Sequence, residues 1–358
     1  MWLQRVQTSG FRNLQPGVID VDAPLVVFTG ANGQGKTNWL EAIGVLGTLR
    51  SFRTARAAEM VAWGGESATV EAAGTSEGMT RTWGWSFGEG ARELRRDDRA
   101  VDAIGWLSSM RATFFVPGDV ALVRGEPALR RAVLDRAVLT LRPAYLAAAR
   151  DLRRVLEHKA ALLRTGSPDT DALDVLDDQL ATLSDSVTRA RADTVARMSQ
   201  AFRAAYASFG GGEEVSVTYR PWSDGDVRGW LTEHRGAERA ARRVLGGPQR
   251  DDLAFLVHGQ PARAYASQGQ ARSLVLAWKL AELEAAREGG ETPLFLLDDL
   301  GSELDPDRTA RLVERVRSLG AQVFVTTTDV RYLPGSEARV FHVSSGVAGG
   351  VAEGVPAG

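Results

Sequence analysis

The chain of 358 residues contains no cysteine. This absence excludes disulfide bonds, zinc–thiolate sites and thiol catalysis, and it is typical of a cytoplasmic protein. No apolar run approaches the roughly 18 residues that a membrane-spanning helix requires. The first residues also lack the charged-then-apolar layout of a signal peptide. We therefore expect a cytoplasmic protein without membrane contact.

Lysine is almost as scarce, with three of the 43 basic residues, at positions 36, 159 and 279. Arginine supplies the rest, but the formal net charge is only −2. Any contact with nucleic acid must therefore come from local basic patches and not from a globally basic surface. The length allows about two domains of ordinary size.

One of the three lysines belongs to a phosphate-binding loop. Residues 30–37 read Gly-Ala-Asn-Gly-Gln-Gly-Lys-Thr, which satisfies the pattern G-x-x-x-x-G-K-[ST]. An apolar run at 25–28 precedes the loop and predicts a buried parallel strand, and a helix-like stretch follows it. In this context, glycines let backbone N–H groups turn towards phosphate oxygens at a helix N-terminus.

The loop predicts that the protein binds a nucleotide together with Mg²⁺. Lys36 would reach the β- and γ-phosphates, and Thr37 would hold the metal ion. The nucleotide-binding residues expected here are Gly30, Ala31, Asn32, Gly33, Gln34, Gly35, Lys36, Thr37 and Asn38.

A second nucleotide motif lies at residues 293–299, which read Pro-Leu-Phe-Leu-Leu-Asp-Asp. The apolar part predicts a strand. Asp298 at its end would complete the Mg²⁺ shell with Thr37, and Asp299 would orient or deprotonate the attacking water. Two acids after a strand can also cap a helix or lie in a solvated loop, but the phosphate-binding loop favours the catalytic interpretation. We therefore expect Lys36 and Asp299 to be catalytic.

Three regions follow one another along the chain. The first is rich in predicted strands, at residues 2–7, 18–21, 25–29, 68–72, 81–87 and 92–95. The second has helical spacing over 143–164 and from 171 past 206, and the third has strands at 253–257, 294–297 and 323–326 with helices between them. We predict the α/β class, with one ATPase domain interrupted by an antiparallel helical hairpin. The hairpin is either part of an ordinary helical subdomain or a projecting coiled-coil arm of about 33 Å.

Residues 265–282 resemble the signature of ABC ATPases, and residues 302–305 resemble the D-loop of that family. The resemblance implies an ABC-type ATPase head, a mixed β-sheet with helices, that binds ATP and Mg²⁺. It also implies a second anion site, in which the N-terminus of the signature helix faces the γ-phosphate of ATP on another subunit. The alternative is that the serine only caps its own helix. The residues concerned are Ser267, Gln268, Gly269 and Gln270 in the signature and Ser302 and Asp305 in the D-loop.

Several longer strings resemble the RecF family, bacterial DNA-repair proteins related to the SMC family. They lie at residues 9–14, 50–54, 115–135 and 247–253, and the Ser-Gln-Gly-Gln spelling of the signature agrees with them. The matches extend from about residue 1 to residue 330. By this resemblance, Arg12 and Asn13 would also approach the ATP.

The RecF resemblance implies an ATP-dependent DNA clamp of recombinational repair. Two copies would dimerise on ATP and bind single-stranded gaps or junctions without reading base sequence. Slow, DNA-stimulated hydrolysis would then release the DNA. RecR and RecO would be partners in recombinase loading and replication restart, within the SOS response to DNA damage.

The same reasoning divides the chain into four segments. We expect the N-terminal half of the ATPase head at 1–130, the inserted helical lobe at 131–235 and the C-terminal half of the head at 236–345. Residues 346–358, rich in glycine, alanine, valine and proline, are expected to form a flexible tail.

Two departures from ABC transporters bear on the rate of hydrolysis. The Q-loop glutamine is missing, and Pro117 and Gly118 leave Asp119 as the polar contact there. The usual histidine after the late strand is replaced by three threonines at 326–328. We therefore expect slow hydrolysis, with a hydroxyl in place of the usual γ-phosphate sensor or no sensor at all.

DNA contact is harder to place from sequence. Each arginine cluster lies near acids, so each can also be an ordinary solvated face with mixed charge. The clusters are Arg50/Arg53/Arg56, Arg92/Arg95/Arg96/Arg99, Arg150/Arg153/Arg154 and Arg239/Arg242/Arg243.

Three other functions are compatible with an ATPase head. The short hairpin argues against a structural, SMC-like tether. The hairpin and the missing glutamine and histidine argue against the ATPase subunit of a transporter. A nuclease-linked ATPase would need a metal-binding cluster, and the chain has only four histidines.

Overall fold

The structure, a computed structural model, describes residues 1–165, 169–209, 212–223, 225–290, 292–299, 306–329 and 338–350. Its strands are β1 (Trp2–Ser9), β2 (Gly17–Asp20), β3 (Leu25–Thr29), β4 (Ser67–Ser76), β5 (Met79–Gly88), β6 (Ala91–Arg96), β7 (Arg99–Ala100), β8 (Ala112–Phe115), β9 (Val215–Arg220), β10 (Asp252–Val257), β11 (Gln260–Pro261), β12 (Leu294–Leu297), β13 (Val323–Thr327), β14 (Ala338–Ser344) and β15 (Val347–Gly350). Its helices are α1 (Lys36–Thr48), α2 (Ala103–Ser109), α3 (Ala121–Arg124), α4 (Pro127–Leu141), α5 (Tyr145–Arg164), α6 (Thr170–Phe209), α7 (Val227–Ala241), α8 (Ala262–Tyr265), α9 (Gln268–Glu288) and α10 (Pro306–Ser318). Within these ranges, no helix combines the length and apolarity needed to cross a membrane.

The chain divides into two compact units. The first consists of Met1–Asp119, Ala204–Gly211 and Leu276–Gly358, and the second of Val120–Arg203 and Gly212–Val275. The lobe expected at 131–235 thus lies mostly inside the second unit, which extends further in both directions. The boundary expected at residue 236 does not coincide with a boundary between the two units, which lies at residue 276. The reason is that β9, β10 and β11 form a separate three-stranded sheet within the second unit.

The first unit contains a six-stranded sheet in the order β15-β14-β3-β13-β12-β8. β3 pairs in parallel with β13 and β14, and β12 pairs in parallel with β13 and β8. Every residue of β8, β12 and β13 is buried, as expected for parallel strands covered on both faces. The strands predicted at 25–29, 294–297 and 323–326 are confirmed. Their carboxyl ends lie at one edge of the sheet, where ligands bind in such folds.

A second sheet of this unit is antiparallel, in the order β2-β1-β4-β5-β6-β7. Burial alternates along β4, so one face of the sheet packs on the core while the other faces solvent. Trp85 of β5 meets Phe11 edge to face, with ring centroids 6.3 Å apart. The strands predicted in this region are confirmed, each within a few residues of its expected bounds.

The predicted helices of the hairpin are present as α5, of 20 residues, and α6, of 40 residues. Within the second unit, the buried Lys159 of α5 lies 2.6 Å from Asp177 of α6 and 2.5 Å from Glu238 of α7. A buried cation needs such partners, because an unpaired charge is costly to remove from water. α5 and α6 are therefore built into a helical subdomain with α7, which favours that interpretation over a free arm.

The string at residues 247–253 also packs inside the second unit. Asp251 is fully buried and accepts a hydrogen bond from Arg191 of α6 at 2.6 Å and others from the hydroxyl of Tyr219 and the backbone of Trp222. Arg191 forms a two-pronged ion pair with Asp135 of α4. Burial alone would lower the pKa of Arg191, but these carboxylates raise it overall. The charge therefore stays in place and ties α4, α6 and β9 together.

The tail expected to be flexible from residue 346 is partly a strand, so that prediction is wrong for residues 347–350. They form β15, which pairs antiparallel with β14. Ser345 and Gly346 between the strands have φ of 49° and 83°, the left-handed pair of a tight hairpin turn that glycine makes easy. Residues 351–358 lie outside the described chain.

Candidate nucleotide-binding site

The phosphate-binding loop, residues 30–37, joins β3 to α1 as the sequence predicts. Gly30, Gly33 and Gly35 have φ of 142°, 80° and 112°, values that residues other than glycine rarely adopt. A Cβ on Gly30 would also lie 2.4 Å from the carbonyl oxygen of Val343 on β14. The glycines are therefore required by backbone conformation and, at Gly30, by the neighbouring strand.

Lys36 is buried and lies against its own loop. Its ammonium donates hydrogen bonds to the carbonyl oxygens of Gly30, at 2.8 Å, and Ala31, at 3.0 Å. Burial lowers the pKa of Lys36, and the charges of Asp299 and then Asp298 oppose that shift. The ammonium is thus held by two loop carbonyls and attracted by two carboxylates. A phosphate bound here could replace the two carbonyls as its hydrogen-bond acceptors.

The phosphate-binding loop and the aspartate that follows β12 meet directly. The hydroxyl of Thr37 donates to Asp298 Oδ1 at 2.9 Å, although 261 residues separate them, and the hydroxyl of Thr326 donates to the same oxygen at 2.7 Å. Burial raises the pKa of Asp298, and the bonds from Thr326 and Thr37 lower it part of the way back. A hydroxyl and a carboxylate at hydrogen-bond distance fit Mg²⁺, which takes hard oxygen ligands, few of them from protein.

Asp299 follows the end of β12 in an unusual backbone conformation. Its φ is 52°, and its backbone N–H donates to the hydroxyl of Thr326 at 2.8 Å. The side chain is half-buried. Its negative charge raises the pKa of Lys36 and so opposes the lowering by burial, more strongly than the charge of Asp298 does. Aspartate tolerates this left-handed conformation better than most residues, and the catalytic role expected for Asp299 stays a prediction.

Glu41 organises the other side of the loop helix. It is fully buried on α1 and accepts two hydrogen bonds from Arg12, at 2.7 and 3.0 Å, and one from the hydroxyl of Ser51. Arg53 lies 3.5 Å from the same carboxylate and donates to Asn38 Oδ1 at 2.6 Å. Sequence reasoning missed Glu41, although a single acid within the apolar run of α1 was a usable signal.

Arg12, Asn13 and Asn38, expected at the nucleotide, lie beside the loop. Asn38 donates to Asn13 Oδ1 at 2.5 Å, and Arg12 is held by Glu41. The strings at 9–14 and 50–54 therefore meet on α1, directly after the phosphate-binding loop.

The turn between β14 and β15 braces the loop from a third direction. The backbone N–H of Ser345 donates to Gln34 Oε1, and that of Gly346 donates to the carbonyl of Gln34, each at 2.8 Å. A Cβ on Gly346 would lie 2.1 Å from the carbonyl oxygen of Asn13. No sequence pattern indicates this contact, because its two sides are 311 residues apart along the chain.

The residues that stand in place of the Q-loop glutamine and the late histidine of ABC transporters form hydrogen bonds within the chain. Asp119 is buried and accepts a hydrogen bond from the backbone of Val116. Thr326 bonds to Asp298, and the hydroxyl of Thr327 bonds to the backbone of Asp329. Thr328 alone of the three threonines is exposed.

The signature residues lie in the second unit at the start of α9. Ser267 Oγ accepts from the backbone N–H of Gln270 at 3.1 Å, and Gln270 Oε1 accepts from the backbone N–H of Ser267 at 2.8 Å. This reciprocal capping box fixes the first turn of the helix. Ser267, Gln268 and Gly269 are exposed, and a Cβ on Gly269 would meet no atom within 4 Å. Ser267 therefore caps its helix and leaves the N-terminus open.

The D-loop residues Ser302 and Asp305 lie outside the described residues, so their place in the site stays a prediction.

Comparisons with known proteins agree over nearly the whole chain. A family model described as "AAA domain, putative AbiEii toxin, Type IV TA system" matches residues 25–329. A protein of Heliobacterium modesticaldum named DNA replication and repair protein RecF is 39% identical and covers 92% of each chain. Its namesake from Geobacter metallireducens is 35% identical over 97% of this chain and 99% of its own. Another from Myxococcus xanthus is 36% identical over 94% and 93%.

Solved structures show the same fold. One described as the recombination mediator protein RecF-ATPrS in the RecFOR pathway is 25% identical, covers 98% of each chain and has a TM-score of 0.90. An SMC head bound to the C-winged helix domain of ScpA is 15% identical with a TM-score of 0.57, which bears on the fold alone. The predicted ABC-type ATPase head of mixed sheet and helices is confirmed.

Proposed function

The chain belongs to the RecF family, and on that basis we propose that it is an ATP-gated DNA clamp of recombinational repair. Two copies bind two ATP molecules, each between the phosphate-binding loop of one copy and the signature of the other. The closed dimer holds gapped or junction DNA, and slow hydrolysis releases it.

The observation that carries this proposal is the direct bond between Thr37 and Asp298 beside Lys36. Lys36 would neutralise the β- and γ-phosphates. Thr37 and Asp298 would hold Mg²⁺, which would offset negative charge on the phosphates. Asp299 would accept a proton from the attacking water.

The open N-terminus of α9 supports the second half of each site. Backbone N–H groups at a helix start attract anions, and the exposed Gly269 leaves room for a phosphate from another copy. The engaged hydroxyls of Thr326 and Thr327 support slow turnover, because only Thr328 is exposed to act as a γ-phosphate sensor.

The first prediction concerns dimerisation. Ser267→Arg is expected to abolish the ATP-dependent dimer seen by light scattering and to lower ATP turnover at least 10²-fold, while each monomer still binds ATP. A guanidinium at this exposed position would fill the space meant for the partner's phosphate. Thr232→Arg on α7, exposed in the same unit, should leave both properties unchanged.

Mixing two inactive variants tests the shared site directly. Ser267→Arg retains the loop and Lys36→Met retains the signature, so a mixed dimer contains one complete site and should regain part of the turnover. Wild-type protein that stays monomeric with ATP, with ADP and without nucleotide would contradict the clamp proposal.

Of the four arginine clusters, that on α5 is best placed for DNA. Arg150, Arg153 and Arg154 are all exposed, and their spacing puts them on one helix face. In the other clusters, several members donate hydrogen bonds within the chain, namely Arg53, Arg92, Arg96 and Arg239. We assign DNA phosphate contact to the α5 face.

The second prediction tests that assignment. Arg150→Glu/Arg153→Glu/Arg154→Glu is expected to weaken binding of gapped duplex by about tenfold or more and to lower the slope of log affinity against log salt, because fewer counterions are released. ATP turnover without DNA should not change. If Arg95→Glu/Arg99→Glu loses DNA binding while the α5 variant keeps it, the assignment is wrong.

The names of the relatives, DNA replication and repair protein RecF and the RecFOR pathway, support a setting in DNA repair. We propose recombinase loading and replication restart at DNA gaps, with RecR and RecO as partners. DNA-stimulated turnover is the accompanying expectation, and no rise in ATP hydrolysis on adding gapped DNA would count against it.

A further inference from the structure

Trp63 is fully exposed, which is unusual for the largest apolar side chain. Five of the nine tryptophans are buried to within 1% exposure, namely Trp39, Trp83, Trp85, Trp106 and Trp278, and the other three are half-buried. An indole left in water adds nothing to the stability of the fold. Exposed tryptophans at fixed positions are typical binding anchors.

The backbone around Trp63 is fixed. The N–H of Gly65 donates to the carbonyl of Ala62 at 2.9 Å, and Gly64 has a φ of 76°, so Trp63 lies at the tip of a tight turn. The turn is fastened to residues 10–12: Ala62 donates to Gly10 and Arg12 donates to Met60, each at 2.8 Å. Docking the indole would therefore cost little backbone entropy.

The turn is continuous with the nucleotide site. Arg12, bonded to Met60 through its backbone, reaches Glu41 through its side chain. The turn that carries Trp63 is thus connected, through Met60 and Arg12, to Glu41 on the helix that follows the phosphate-binding loop.

The second unit exposes its own apolar side chains beside the signature. Tyr265, two residues before Ser267, is 71% exposed, and Leu129 is 45% exposed. Arg124 donates to the carbonyl of Ala266, so the segment just before α4 reaches the start of α9, which Tyr265 precedes by three residues. In a twofold dimer where loop faces signature, the surroundings of one meet the surroundings of the other.

We propose that Trp63 of one copy docks against Tyr265 of a second copy when ATP closes the dimer. This contact, which rests on the proposed function, would supply the apolar centre of the dimer interface. Because the dimer is twofold symmetric, the contact occurs twice in each dimer.

Truncation of the indole is the first test. Trp63→Ala is expected to leave the unfolding midpoint and ATP binding by the monomer unchanged, and to weaken the ATP-dependent dimer by about 10- to 100-fold, the range of a tryptophan hot spot. Tyr265→Ala should do the same, and the double variant should lose little more than either single one. Met79→Ala, which truncates another exposed apolar residue, should dimerise as wild type.

Crosslinking gives an independent readout, because the chain has no native cysteine. Trp63→Cys/Tyr265→Cys treated with a short bismaleimide should give a covalent dimer with ATP and not with ADP. Trp63→Cys/Val175→Cys, with the second thiol on an exposed position of α6, should not.

The outcomes separate this inference from the proposal beneath it. If wild type dimerises with ATP, Ser267→Arg does not, and Trp63→Ala dimerises as tightly as wild type, the Trp63 contact is wrong and the clamp stands. If Trp63→Ala dimerises normally but loses DNA affinity, DNA is the occupant and the inference is overturned. A wild type that never dimerises overturns both.

Discussion

Replacing Asp299 by asparagine is expected to slow ATP turnover by about 10²- to 10⁴-fold, the usual contribution of a positioned general base. ATP binding and the ATP-dependent dimer should persist, because Lys36, Thr37 and Asp298 are untouched. Asparagine suits the site for a second reason: it tolerates the left-handed conformation better than other non-glycine residues, so the bond from its backbone to Thr326 can survive. Single-turnover hydrolysis and light scattering measure the two effects separately.

Asp98→Asn is the matched control for this variant. Asp98 is also an aspartate with a left-handed backbone, at a φ of 61°, and it is exposed on the antiparallel sheet of the same unit. It should hydrolyse ATP as wild type does. If Asp299→Asn retained full turnover, water would be activated by another group and the role assigned to Asp299 would be wrong.

Lys36→Met should produce the second large effect, on ATP binding itself. Losing a charge-assisted contact worth about 1.5–3 kcal/mol lowers ATP affinity by roughly 10- to 100-fold, and turnover falls further because charge on the transferring phosphate goes unopposed. The apo protein should lose little stability, because the cost of burying this ammonium, which lowers its pKa, offsets its hydrogen bonds to the carbonyls of Gly30 and Ala31. The ATP-induced rise in unfolding midpoint measures the first effect.

Arg5→Met removes one cation from an exposed position on β1 of the same unit and serves as the control. It should keep the full ATP-induced rise. A Lys36→Met variant that ATP stabilises as strongly as wild type would show that the triphosphate does not reach this ammonium.

Much of the site could be predicted because its signals are local. Residues 30–37 carry their glycines, lysine and threonine within one loop, and the apolar runs at 25–28 and 294–297 identify their strands without reference to neighbours. The prediction that Asp298 binds Mg²⁺ together with Thr37 depends on the fact that a phosphate-binding loop requires an acidic partner. In the structure, Thr37 Oγ1 and Asp298 Oδ1 lie 2.9 Å apart. The metal ion and the catalytic roles stay predictions.

The remaining features depend on contacts distant in sequence. Glu41 is meaningful only once Arg12 and Ser51 fold onto α1, and Gln34 meets Ser345 across 311 residues. β8 is a four-residue strand whose assignment depends on pairing with β12. The boundary of the second unit depends on β10 pairing with β9 and not with the larger sheet. No local pattern encodes these pairings.

The position of β3 has a consequence for how the polypeptide is made. This strand emerges early from the ribosome, yet both of its neighbours, β13 and β14, begin only at Val323 and Ala338. Until they are translated, its edges stay open to wrong partners, and chaperone protection would be needed for most of translation. Prematurely terminated products would lack Asp298 and both strands that flank β3, so they could not complete the nucleotide site.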